Sequence, residues 1–167
     1  AHELYVRSER WLKRLERSVR LPGDELIDPG EAAVMICGMG RVGTAAYDEM
    51  HRRQGDTVVG VEHDEERAQA HVGVGRRVIH ADVTDPDFWL KAEHVHLGMV
   101  VLAMPNHQEN VFTASRLRAR GFSGLVVATA QFADEVTELK AAGVSDAHNL
   151  REDAGIGLAE LSSALYN

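Results

Sequence analysis

The chain of 167 residues has one cysteine, four prolines and aromatics at only 5%, and none of its apolar runs approaches the roughly 18 residues that a membrane span needs. A single thiol, Cys37, forms no internal disulfide, so the fold must rest on its core, and a reducing compartment is consistent with this usage. Because Cys37 lies within an apolar run, it reads as a small buried hydrophobe rather than a reactive thiol. Excess positive charge is also missing. The formal net charge is -8, whereas binding to a nucleic-acid backbone needs a basic surface, so nucleic acid is an unfavourable partner. No GxSxG elbow occurs, which argues against an α/β-hydrolase nucleophile. The opening AHELYVRSER lacks the apolar core of a signal peptide. What remains, 44% hydrophobic and 26% charged residues, suits one globular domain large enough to bury a proper core.

The most informative stretch is Ala32 to Gly43. An apolar run from Ala33 to Cys37 breaks into Gly38-Met39-Gly40-Arg41-Val42-Gly43, a GxGxxG that leads into a helix-compatible segment, Thr44 to Arg53. The three glycines have separate roles. Gly38 permits a sharp turn, Gly40 lets phosphates approach bare backbone, and Gly43 allows close packing of helix on strand. The free N–H groups of the helix start, with the positive end of its dipole, make a phosphate site. Thr57 to Glu62 reads as a second strand ending in an acid, 19 residues beyond Gly43. A carboxylate at that place takes the ribose hydroxyls of an adenine nucleotide and repels a 2′-phosphate. Asp82, in the turn after a third strand over Arg77 to Ala81, falls at the adenine end of the same cleft.

Helices are expected over Glu65 to Val72, from Phe88 to Lys91, from a cap at Asn106 to about Arg120, over Asp134 to Ala142, and over Ala154 to Tyr166. Leu97 to Met104 is apolar throughout, as a strand covered on both faces should be, Leu125 to Thr129 is a fifth strand, and Val144 to His148 a weakly signalled sixth. Strands and helices alternate. The expected fold is therefore a doubly wound α/β Rossmann domain with a parallel sheet in the order 3-2-1-4-5-6, over residues 30–167. Residues 1–29 differ. Leu4, Trp11 and Leu15, with Tyr5, Leu12 and Val19 one position round, recur at helical spacing and predict an amphipathic helix followed by a linker. Between Arg7 and Arg20 it carries six cations against two acids, so it reads as a solvated face packed on its own domain or a twin, or as a segment beside anionic lipid or a membrane partner.

Two chemical alternatives arise from the histidines. His94-x-His96 is the tightest histidine pair, but with no thiols nearby it reads as loop histidines rather than a metal site. Dehydrogenase chemistry needs a second region for substrate and an acid or base, and the one candidate near the cleft mouth is His107.

The motifs Gly38 to Gly43, Val61-Glu62-His63-Asp64, Ala81-Asp82-Val83-Thr84-Asp85 and Ala103-Met104-Pro105-Asn106-His107 resemble, in order, the nucleotide-binding domains of the RCK or TrkA-N (KTN) type that regulate potassium channels and transporters, above all the cytoplasmic domain of Kef-type potassium efflux systems. The resemblance covers about Ala32 to Leu161. It implies that phosphates are taken by Gly38, Gly40, Arg41, Val42 and Gly43, ribose by Glu62, and adenine by Asp82 with Val83. It implies a non-catalytic sensor of an adenine nucleotide, NAD(H) or AMP/ATP, placed at the inner face of the cell membrane. Its partner would be a membrane-embedded potassium transporter or channel. Because a nucleotide gates only through differential affinity for two arrangements, and because Leu4 to Val19 and Ile156 to Leu165 carry apolar stripes, the domain is expected to be a homodimer. Two departures stand out: the family's GDA turn is Ala81-Asp82-Val83 here, and where Kef domains carry basic residues for a glutathione-type ligand this chain has Ala128-Thr129-Ala130-Gln131. The alternative is the cofactor domain of an NAD-dependent oxidoreductase without its substrate domain.

Overall fold

The computed structural model describes residues 31–92 and 96–166. The expected amphipathic helix of residues 1–29 and His94 of the histidine pair lie outside the described residues. Val34–Cys37 (β1) is the centre of the fold. Its four apolar residues are all buried, and it pairs in parallel with Val58–Glu62 (β2) on one side and with Met99–Leu102 (β4) on the other. Val78–His80 (β3) extends the sheet beyond β2, and Leu125–Ala130 (β5) and Asp146–Asn149 (β6) extend it beyond β4. The order is 3-2-1-4-5-6, with all pairings parallel, as the alternation of strand and helix signals predicts.

The period-two alternation of β1 divides the core. Met35 and Cys37 join one cluster with Val59, Val61, Val100 and Leu102, whereas Val34 and Ile36 join another with Met39, Tyr47 and Val58. Arg41–Gln54 (α1) covers the second cluster through Tyr47, and Glu65–Gly73 (α2) follows β2. Phe88–Lys91 (α3), His107–Ala119 (α4) and Ala133–Ala141 (α5) cover the first through Phe88, Trp89, Leu117 and Leu139. The last helix, Leu150–Tyr166 (α6), buries none of its residues. No helix among the described residues is long and apolar enough to cross a membrane.

Element ends differ from expectation by two residues or more at four places. α1 begins at Arg41 rather than Thr44, because Gly40 takes the extended N-cap position and the last three residues of the glycine motif are already helical. β4 is shorter than the apolar run, since Leu97, Ala103 and Met104 are buried in the segments flanking it. β6 is displaced toward Asn149. Val144 is buried in the core, and pairing with β5 starts only at Asp146. α6 starts at Leu150, not Ala154, because Asn149 caps it: its Oδ1 accepts from the Glu152 N–H at 3.3 Å while its Nδ2 donates to Glu152 Oε2 at 3.1 Å.

Candidate functional site

A cleft of about 500 Å³ opens over the carboxyl ends of the strands, at the point between β1 and β4 where the strand order reverses. Its floor is the glycine turn. Gly38 has φ +92°, and a Cβ there would lie 3.0 Å from the Ala103 carbonyl oxygen, so both the turn and the close approach of the segment after β4 require glycine. A Cβ on Gly40 would meet nothing within 4 Å, which leaves its backbone open to the cleft. A Cβ on Gly43 would stand 1.8 Å from the Gly38 carbonyl oxygen. Gly43 therefore fixes how closely α1 approaches the turn, and it is the one residue of the predicted set that does not line the cleft. No side chain caps the start of α1, so the first-turn N–H groups and the helix dipole are available to an anion.

Glu62 ends β2 and is 2% exposed, so it is no surface acid. Its Oε2 accepts the Met39 N–H at 3.1 Å and its Oε1 accepts the Asp64 N–H at 3.0 Å. His63 Nδ1 lies 3.1 Å and the Arg67 guanidinium 3.6 Å from the same Oε1. A carboxylate offers about four lone-pair sites. Glu62 is thus oriented by the backbone on two of them, beside a cleft that it lines. Asp82 is exposed at the cleft wall, where its Oδ1 accepts from the Thr84 N–H at 2.8 Å and from Thr84 Oγ1 at 2.6 Å, closing the turn after β3. The neighbouring Val83 is buried and its carbonyl accepts from Trp89 Nε1 at 2.8 Å, which ties that wall to the core. Gly38, Gly40, Arg41, Val42, Glu62, Asp82 and Val83 are therefore brought together as the motifs suggest.

The structure adds residues of the opposite wall and one cation, and places there Gln131, noted in the sequence only as a departure from the Kef pattern. Gln131 and Glu135 from the end of β5 and the start of α5, and Leu150 from the first turn of α6, also line the cleft. The Glu135 carboxylate is engaged by the Gln131 and Phe132 N–H groups at 2.6 and 3.3 Å. Arg67 faces Glu62 from α2. The readable signal for all of these was their place at the carboxyl ends of strands in a doubly wound sheet. His107 sits in the first turn of α4, where Nε2 pairs with Glu138 Oε2 at 2.8 Å, and Nδ1 is buried with no hydrogen-bond partner among the described residues. His96 is exposed, and no cluster of three or more metal-ligating side chains occurs among the described residues.

The fold recurs in known proteins. The family model described as TrkA-N domain matches residues 34–150. The TrkA-N domain of the inner membrane protein ybaL from Escherichia coli superposes with a TM-score of 0.68 at 20% identity, covering 77% of this chain and 94% of that one. The Kef CTD of Shewanella denitrificans in its AMP-bound form gives 0.67 at 18% identity, covering 80% and 81%. The GsuK channel bound to NAD gives 0.61 at 15% identity, with 82% of this chain matching 24% of that one. At these identities the likeness is one of fold. A comparison with curated protein sequences finds no match.

Proposed function

The chain belongs to the TrkA-N domain family, and from that premise we propose that it is a regulatory, non-catalytic domain that senses an adenine nucleotide, NAD(H) or AMP/ATP, and passes its occupancy to a membrane-embedded potassium channel or efflux transporter. The observation that carries this reading is the pairing of an uncapped helix start at Gly40 with a buried carboxylate, Glu62, that the same turn holds in place through the Met39 N–H. One group suits phosphate and the other a ribose diol. In this reading Gly38, Gly40, Arg41 and Val42 take the phosphates with Gly43 behind them, Glu62 the ribose, and Asp82 with Val83 the adenine. The AMP of the Kef CTD and the NAD of GsuK support an adenosine-containing ligand. His107, the acid/base candidate, pairs through its Nε2 with Glu138 on the neighbouring helix. The domain would work at the inner face of the cell membrane, as a homodimer.

A nucleotide can act on a partner only by preferring one of two arrangements. α6 is suited to report the preference. Leu150 lines the cleft, and Arg151 donates to Gln131 Oε1 at 3.3 Å while its guanidinium lies 4.6 Å from the centre of the Phe132 ring. The first turn of α6 thus touches the site, and the rest projects from it.

Titration calorimetry of the Glu62→Ala chain tests the assignment. A carboxylate that accepts from a diol contributes about 1.5 to 3 kcal/mol, so affinity for AMP and NAD should fall by roughly one to two powers of ten. NADP should be affected much less, because the wild-type carboxylate repels its 2′-phosphate. Unchanged affinity for AMP and NAD would remove Glu62 from the site. Steady consumption of NADH with a small carbonyl substrate, dependent on His107, would replace the sensor with the oxidoreductase reading.

A further inference from the structure

Met39, the variable residue between the first two glycines of the turn, is held by three elements at once. Its N–H donates to Glu62 of β2, and its carbonyl oxygen receives two donors, Thr44 Oγ1 of α1 at 3.0 Å and His71 Nε2 of α2 at 2.9 Å. Its side chain crosses β2 at Gly60, where a Cβ would meet the Met39 sulfur at 2.6 Å. Because a carbonyl only accepts, His71 carries its proton on Nε2, and Nδ1 is left as an acceptor. Arg76 Nη1 lies 3.4 Å from that nitrogen. The tautomer is therefore set from both sides.

The placement of His71 follows from the chain. It occupies the last turn of α2, which ends in a fold-back: the Arg76 N–H donates to the His71 carbonyl at 3.0 Å, and Gly75 turns with φ +87°. This returns Arg76 over the imidazole and onto α1, where it forms a bidentate pair with Asp48 at 2.7 and 2.8 Å. His71 is thereby braced against the glycine turn, although the cleft itself does not include it.

We propose that His71 is a positioning residue for phosphate binding, which it serves by fixing the plane of the Met39–Gly40 peptide at the floor of the cleft. The peptide is rigid and planar, so anchoring its carbonyl also fixes the direction of the Gly40 N–H and the entry of the chain into α1. Loss of one of two donors lets that plane rock, and phosphate recognition by backbone amides depends on their alignment. The inference rests on the nucleotide reading given above, and it assigns the turn a support that its own glycines do not supply.

The test compares ADP with adenosine, which lacks phosphate, as calorimetric probes of the full chain. His71→Leu should lower ADP affinity about tenfold, the effect of one hydrogen bond, and adenosine affinity by less than about twofold. His71→Gln, whose amide can reach the same carbonyl, should recover ADP binding to within about threefold of wild type. Thr44→Val removes the other donor to that carbonyl without touching α2, and it should show the same split between the two probes even if His71→Leu does not fold. A His71→Leu chain that binds ADP as wild type does, or loses ADP and adenosine by equal factors, would overturn the proposal while leaving the nucleotide reading intact. A wild-type chain that takes up no ADP, AMP or NAD would overturn that reading and this inference with it.

Discussion

At the scale of single residues, the three glycines of the turn are expected to separate folding from binding. A Cβ on Gly43 would stand within 1.8 Å of a backbone carbonyl, so Gly43→Ala must push α1 from the turn. Overpacking of that kind costs about 1 to 3 kcal/mol, and in a domain of this size each kcal/mol lowers Tm by roughly 2 to 4 °C. Gly40→Val adds its side chain to open space at the cleft, and it should leave Tm much closer to wild type while abolishing nucleotide binding. Differential scanning fluorimetry with and without AMP distinguishes the two. Cys37 provides a second residue-scale prediction. Complete burial pushes its thiol far above the ordinary range, so iodoacetamide at pH 8 should label the chain only after unfolding, as mass spectrometry would show. The turn at Gly38, the close approach at Gly43 and the place of Glu62 beside the cleft were legible from the spacing of one motif, and the burial of Cys37 from the apolar run that holds it. The role of His71 was not, because it meets Met39 across 32 residues of sequence and no local pattern marks the pair.

At the scale of elements, strands and helices were readable where one apolar period runs unbroken, as in β1 and β2, and their ends were not. Gly40, Asn149 and Gly75 decide where helices begin or end through backbone geometry, and a glycine or asparagine in a sequence fits several such roles. The junction of α1 with α2 through Asp48 and Arg76 was invisible for the same reason as His71. Its contribution is pH-dependent with a definite sign. The hydrogen bond from Arg76 holds the Asp48 carboxyl below its ordinary value near 3.8, so the folded state favours the ionised form more than the unfolded state does. That stability is fully present above the unfolded value and is lost as pH falls through the lowered folded one. Both side chains are partly exposed, so the effect is less than about 1 kcal/mol. In acid-unfolding curves of wild type and Asp48→Asn, the difference should be constant near neutrality and shrink below about pH 4. A difference that grows on acidification would contradict the assignment.

At the scale of the whole molecule, the parallel sheet and its order followed from the alternation of elements, and the apolar stripe Ile156 to Leu165 was legible as a surface in need of a partner. That stripe belongs to α6. Leu158, Leu161 and Leu165 are 60 to 81% exposed and share one helical face at spacings of three and four, while Ile156 stands apart from it. The helix also contains Gly155 and Gly157 in its interior, each costing about 1 kcal/mol relative to alanine, and it buries none of its residues. A helix so composed draws its stability from packing rather than from propensity. The apolar face is therefore expected to pair with a second copy of the chain, which would give a nucleotide-dependent interface to the element whose first turn lines the cleft. Sedimentation equilibrium should find a dimer for the wild-type chain and a monomer for Leu158→Asp with Leu161→Asp. Because the monomer leaves α6 unsupported, its helical circular dichroism should decrease as well, without change in the adenosine affinity of the cleft. A wild-type chain that remains monomeric at the highest concentrations would exclude α6 as a self-association surface, and the occupancy of the cleft would then have to reach its partner by another element.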